Sequence, residues 1–171
     1  MTRDDLLAIM PLAKSRIDAF LGPLNAAMEE FDINTHARQA SFLSQVAHES
    51  GQLLYVQEIA SGAAYEGRKD LGNAVRGDGV RFKGRGLIQV TGRDNYAKCG
   101  NALDLDLIIH PELLCEPINA CRSAGWFWQS HGLNELADAG DQVKVTRRIN
   151  GGINGLADRL ALFQAATKVL A

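Results

Sequence analysis

Apolar residues recur at three- and four-residue steps along most of this chain, the period of helices that bury one face. Ile9, Leu12 and Ala13, then Ile17, Phe20 and Leu21, form a first stripe, which Gly22-Pro23 is expected to end. Leu24, Ala27, Met28 and Phe31 form a short second one. Thr35 supplies an N-cap hydroxyl for a helix predicted over about 36–49, whose stripe is Ala40, Leu43 and Ala47, widened by Phe42 and Val46. Further helices are predicted over about 94–102, from Pro117 (suited to the first helical position) to about 130, and over about 141–149. A last helix over 156–170 places Leu160, Phe163, Ala166, Thr167 and Leu170 on one stripe.

Between Ala60 and Gly86 the periodicity vanishes, and glycines recur at 62, 67, 72, 77, 79, 84 and 86 among charged residues. A loop this long inside a compact domain is usually functional or disordered. Leu87 to Thr91 reads as a short extended run. The fold class expected is therefore mainly α: one domain over 1–171, with a short irregular or β-like segment in its middle.

Composition excludes more than it selects. The 171 residues can bury a substantial core, and a net charge of −2 gives no general attraction to nucleic acid or anionic membrane. Arg76, Arg81, Lys83, Arg85 and Arg93 form a local basic cluster, readable as a solvated loop or as a groove for an anionic polymer. Cys99, Cys115 and Cys121 are odd in number and lack zinc-site spacing, so free buried thiols made in a reducing compartment are expected. No signal peptide is readable at Met1 to Asp5, and no apolar run approaches the roughly 20 residues that span a bilayer.

The candidate chemistry lies where the 36–49 helix runs out. Ala47-His48-Glu49-Ser50-Gly51 delivers a carboxylate at a glycine stop, and Glu58 follows on the returning chain. Had the helix continued, these nine residues at ~1.5 Å each would leave the acids about 13 Å apart on opposite faces. A break at Ser50-Gly51 instead lets 53–56 fold back and bring Glu58 across a groove. Two carboxyl groups in different environments are the minimum for hydrolysing a glycosidic bond, at separations of ~6.5–9.5 Å for inversion or ~5–5.5 Å for retention. His48-Glu49 also begins like a zinc-protease HExxH motif, but residue 52 is Gln, so no metal is expected. Gly84 and Gly86 can serve close backbone approach or simple turns, and Trp126 and Trp128 fit a core face.

Read together, Phe42 to Gly51, Phe82 to Gly92 with Asn95-Tyr96, Ser123 to Trp128, Arg147 to Gly152 and Asp158-Arg159-Leu160 resemble glycoside hydrolase family 19. That family holds chitinases and the peptidoglycan-cleaving endolysins of phages that infect Gram-negative bacteria. The resemblance runs from about residue 35 onward, and the first ~30 residues look phage-like. It implies a lysozyme-like helical fold with a central cleft. It also implies an inverting mechanism in which Glu49 is the general acid, Glu58 the base and Thr91 the hydroxyl that holds the attacking water. Gln89, Asn95, Tyr96 and Asn150 fall where the family contacts sugar rings, His48 sits in the acid's motif, and Arg159 matches an arginine behind the acid. The segment between the acids and Gly84 is shorter than is usual in the family, which implies a more open cleft and leaves Glu66 as a competing base.

The expected activity is cleavage of the β-1,4 strand of peptidoglycan between N-acetylmuramic acid and N-acetylglucosamine. The alternatives are chitin hydrolysis, a lytic transglycosylase, and a non-catalytic cell-wall-binding module. Expected partners are glycan strands, with no nucleic acid, stable membrane insertion or cofactor, and the protein is expected to act as a monomer. A chain made in the cytoplasm without a leader would need a holin-type membrane lesion to reach the wall from the periplasmic side.

Overall fold

The computed structural model describes residues 1–171. Its nine α-helices are α1 (Arg3–Ile9), α2 (Ile17–Glu30), α3 (His36–Glu49), α4 (Asp78–Arg81), α5 (Arg93–Leu103), α6 (Pro117–Ser130), α7 (Leu133–Asp138), α8 (Gln142–Asn150) and α9 (Leu156–Leu170). Short 3-10 turns intervene at Pro11–Ala13, Ala63–Tyr65, Lys69–Leu71 and Pro111–Cys115. The chain pairs with itself in extended form only at two isolated bridges, Gln57 with Arg85 and Arg85 with Val90. No helix is long and apolar enough to cross a membrane.

Helix α3 lies at the centre. Thr35 caps it by accepting the Arg38 N–H at 3.2 Å, and eight consecutive residues, Ala40 to Ala47, are buried. Burial on every side explains why its pattern is only weakly one-faced: Ser41, Ser44 and Gln45 are interior, and each finds a polar partner. Helix α9 packs along α3, while α2 packs against α6. Phe42 of α3 meets Trp128 of α6 edge to face, with ring centroids 5.4 Å apart, and the Trp128 indole N–H donates to Asn134 Oδ1 at 2.9 Å.

Four expectations require correction. The first two stripes are not divided at Gly22-Pro23, because α2 runs through the proline. Ile17, Phe20, Leu24, Ala27 and Met28 form one continuous buried face, and that packing outweighs the lost backbone bond. Leu12 is not on it, being 71% exposed. In α9 the buried face is Arg159, Leu162 and Ala166, so the apolar stripe read from the sequence is rotated by a buried arginine. Leu87 to Gln89 is a tight turn rather than a strand, closed by mutual bonds between Arg85 and Val90 at 3.1 and 2.8 Å. Helix α7 was unmarked in the sequence pattern.

The glycine-rich middle is tied down by side chains. The Glu66 carboxylate accepts the N–H of Gly77 at 2.6 Å and of Gly79 at 2.9 Å, at the start of α4. Asp78, 2% exposed, pairs with Arg93 at 2.6 and 2.8 Å. Asn73 has no exposed surface and joins the Tyr65 carbonyl to the Arg93 N–H, both at 2.9 Å. These staples do the work that apolar burial does elsewhere. The basic cluster is divided: Arg81 donates to the carbonyls of Ile108 and Ile109, Lys83 to those of Glu58 and Ala60, and Arg85 is 8% exposed. Arg76, Arg81 and Arg93 still line one open pocket, with Asp78 among them, and Lys83 and Arg85 are not part of it.

All three cysteines are free; Cys99 and Cys121 are buried and Cys115 is partly so. Burial pushes the Cys99 thiol up to about 12.

Candidate functional site

Helix α3 ends where three residues in succession, Gly51, Gln52 and Leu53, take the left-handed conformation, at φ +57°, +56° and +67°. For Gln52 and Leu53 that conformation costs on the order of 1 kcal/mol each. Tertiary contacts hold it. Gln52 N–H donates to the Ala47 carbonyl at 2.7 Å, and Gln52 Oε1 accepts the Leu12 N–H at 2.8 Å. Leu53 is 1% exposed, with its N–H on Ser50 Oγ at 2.8 Å. The chain therefore reverses sharply after Glu49 and returns Glu58 along the same face of the molecule.

Glu49 is half-buried at the end of α3. Arg159 Nη2 donates to its Oε1 at 2.5 Å, and the same guanidinium reaches Gln45 Oε1 at 2.6 Å and the Asn154 carbonyl at 3.1 Å. Arg159 is 1% exposed, so the carboxylate rests on a cation that water does not reach. Oε2 of Glu49 has no hydrogen-bond partner within the protein.

Glu58 is positioned by a different element. Its N–H donates to the Gly84 carbonyl at 2.9 Å, and its Oε2 accepts the Gly84 N–H at 2.8 Å. A Cβ on residue 84 would lie 2.8 Å from both Glu58 Oε2 and Gln89 Oε1, so any side chain here must displace the ends of these two groups. Glu49 and Glu58 line one open cleft of about 380 Å³ together with Tyr55, Gln57, Tyr65 and Gln89. Gln89 also lines an adjoining pocket of about 190 Å³, with Thr91, Asn95, Trp126, Phe127 and His131. Glu66, committed to the amides of Gly77 and Gly79, is not among the cleft residues.

The other predicted residues separate into groups. Thr91 and Asn95 stand in the side pocket, where Asn95 Nδ2 donates to the Thr91 carbonyl at 2.8 Å and Thr91 Oγ1 makes a long 3.4 Å contact to the Gln89 carbonyl. Tyr96 is not placed to meet a sugar. It has no exposed surface, and its hydroxyl donates to the Lys83 carbonyl at 2.6 Å and accepts from Arg85 at 3.0 Å. Burial pushes its phenol well above the ordinary range. His48 turns toward α9: its Nδ1 lies 2.6 Å from Asp158, and a Cβ on Gly155, a left-handed residue, would fall 2.2 Å from the ring. Asn150 is exposed at the end of α8 and lines neither the cleft nor the side pocket.

Several residues of the site carried little sequence signal. Gln45 could have been found, since it stands four residues before Glu49 on the same helix face. Tyr65 could not, lying inside the stretch with no periodicity.

A helical domain whose central helix ends in a carboxylate, faced by a second across an open cleft, has the architecture of a lysozyme-like glycoside hydrolase. The chain belongs to glycoside hydrolase family 19: residues 24–168 match the family model described as chitinase class I. It is similar to a glycosyl hydrolase family 19 domain-containing protein of Haemophilus influenzae, at 32% identity over 83% of this chain and 84% of that one. It is 33% identical to an endochitinase of Arabidopsis thaliana over 86% of its own length, but spans only 57% of that protein. Among solved structures, chitinase C from Streptomyces griseus superposes with a TM-score of 0.81 at 23% identity, covering 99% of this chain and 76% of the other. A bacterial family 19 chitinase superposes with a TM-score of 0.83 at 22% identity, covering 99% and 94%. At such identities the likeness is one of fold.

Proposed function

We propose that the protein hydrolyses the β-1,4-linked strand of peptidoglycan by inversion, with Glu49 as acid and Glu58 as base. The observation that carries this is the pair itself: two carboxylates on one cleft, one backed by a buried arginine and the other by a backbone amide. Glu49 acts through Oε2, which has no partner within the protein, and gives a proton to the glycosidic oxygen as the C1–O bond breaks. Water attacks C1 from the opposite face and passes a proton to Glu58. Gln89, between cleft and side pocket, holds the sugar beside the scissile bond, and Thr91 contributes the hydroxyl that holds the water.

The open cleft supports peptidoglycan: immediately after Glu58 it is lined by Ile59, which is 84% exposed, and by Ala60, whose methyl group is too small to obstruct the lactyl-peptide branch of muramic acid. Chitin is the second reading, favoured by the chitinase names of the relatives. Reducing ends and product masses, measured on purified peptidoglycan and on soluble chitooligosaccharides side by side, separate the two. Release of anhydro-sugars identifies a transglycosylase, and binding to either glycan without new ends identifies a non-catalytic module.

A further inference from the structure

The basic pocket, of about 430 Å³, shares no residue with the cleft or with the side pocket that adjoins it. Asp78 is the one carboxylate among its lining residues, and Arg93 takes up both of its oxygens, through Nε at 2.8 Å and Nη2 at 2.6 Å. Arg81 uses the same two nitrogens on the carbonyls of Ile108 and Ile109. Both guanidiniums also flank the ring of Phe82, which has no exposed surface, at 4.8 Å for Arg93 and 5.7 Å for Arg81. They are therefore held in place, yet Nη1 of each has no partner within the protein. Arg76 is exposed and has no hydrogen-bond or ion-pair partner. Of the neighbouring acids, Glu66 is bound to the Gly77 and Gly79 amides and Asp94 lies against Gly72. Positive charge is thus left on donors that are already oriented, so an anion binds there with little ordering cost. Val75 and Ile109, 58% and 56% exposed, add apolar walls.

We propose that this pocket binds a carboxylate of the peptide branch carried by muramic acid, so that the polymer is gripped by its branch as well as by its sugars. This rests on the reading of peptidoglycan as the substrate; chitin has no anionic branch for such a pocket to hold. The placement suits the role. Arg93 stands two residues beyond Thr91 of the side pocket, which puts their backbones within about 7 Å of each other. Gly92 between them is closed down on Leu71, another side-pocket residue, with a Cβ there falling 2.6 Å from that of Leu71. An extended branch of four residues spans about 14 Å, twice that backbone separation. Its carboxylates are ionised near neutral pH, and its aliphatic side chains match the apolar walls.

The probe is the free stem tetrapeptide of peptidoglycan (alanine, glutamate, diaminopimelate, alanine), titrated into the protein and followed by 15N–1H NMR at the Nε–H groups of Arg81 and Arg93. Both signals should shift with a millimolar midpoint, and added salt should weaken the response. The same peptide with its carboxylates amidated should leave them in place. No shift, or an equal shift with the amidated peptide, overturns the inference. Tighter binding of inorganic phosphate than of the peptide overturns it too, assigning the pocket to a phosphate-bearing ligand. On the polymer, soluble glycan strands with and without their peptides are compared by calorimetry in a Glu49→Gln background, where turnover does not consume them. Adding Arg76→Glu should reduce the preference for the branched strands by about fivefold, the upper range for one exposed ion pair. An unchanged preference overturns the inference. If the Arg76 variant fails to fold, the peptide titration of the parent decides alone. A parent that releases no reducing ends from peptidoglycan refutes the substrate reading, while the titration still decides the pocket.

Discussion

Arg159 and Glu49 meet at 2.5 Å between Nη2 and Oε1, and the guanidinium that makes this contact is 1% exposed. It also carries Gln45 and the Asn154 carbonyl, so one side chain of α9 sets the orientation of the carboxylate that ends α3. Arg159→Met should destabilise the fold by about 3 kcal/mol, since it strands polar groups built around a buried cation. Arg159→Lys keeps the charge without the planar fork and should lower kcat by about tenfold or more. Urea unfolding and steady-state kinetics on the two variants check both statements.

Glu49→Gln and Glu58→Gln should each lower kcat by about 10²–10⁴, the range supplied by a positioned acid or base. Both variants should still bind the glycan, as measured by cosedimentation with the insoluble polymer. Unimpaired turnover in either removes that residue from its role.

Glu66→Gln separates the competing carboxylates. Weakening the bonds to Gly77 and Gly79 should cost about 1–2 kcal/mol of stability while kcat stays within about threefold of the parent. A collapse of kcat at preserved stability would return Glu66 to the chemistry.

Gly84→Ala introduces a methyl group 2.8 Å from both Glu58 Oε2 and Gln89 Oε1. Either side chain must yield by a fraction of an ångström, and displacement of a reacting group by ~1 Å can cost about 10²-fold. Activity should therefore fall further than melting temperature suggests, which paired kinetics and calorimetry will show.

The Asp78–Arg93 pair predicts one component of acid sensitivity. The guanidinium of Arg93 holds Asp78 below the ordinary 3.8 of an unfolded aspartate. A depressed folded value means that this stabilisation is complete above about pH 4 and is lost as pH falls through the folded value. Asp78→Asn should accordingly flatten the stability profile below pH 4, followed by urea midpoints at successive pH values.

The helices were legible in the sequence wherever local pattern and tertiary demand agreed. Thr35, the 36–49 span and the glycine stop after Glu49 all appear as read, because cap, period and terminator act within a few residues of one another. Pro23 misled because its local cost is outweighed by a face of five buried residues packed against the rest of the domain, and Arg159 misled because a buried cation occupies a position where periodicity expects an apolar residue. The site followed the same division. Glu49 and Glu58 could be named from spacing, but Tyr96 could not be told from a surface aromatic until Lys83 and Arg85 were seen to consume its hydroxyl. Tyr65 depends on staples among Glu66, Asn73 and Asp78, and side-chain-to-backbone bonds of that kind leave no period to read.

The left-handed turn at Gly51, Gln52 and Leu53 gives the amino-terminal region a share in the spacing of the two acids. Gln52 is gripped by the Leu12 amide, and Arg16 bridges the Leu12 and Gln52 carbonyls at 2.6 and 3.3 Å. Those residues touch no part of the cleft, yet they brace the hinge across which Glu58 is measured against Glu49. Leu12 and Arg16 thus act as a gauge block for the cleft. Replacing them would detune the distance between the carboxylates without substituting any residue of the cleft.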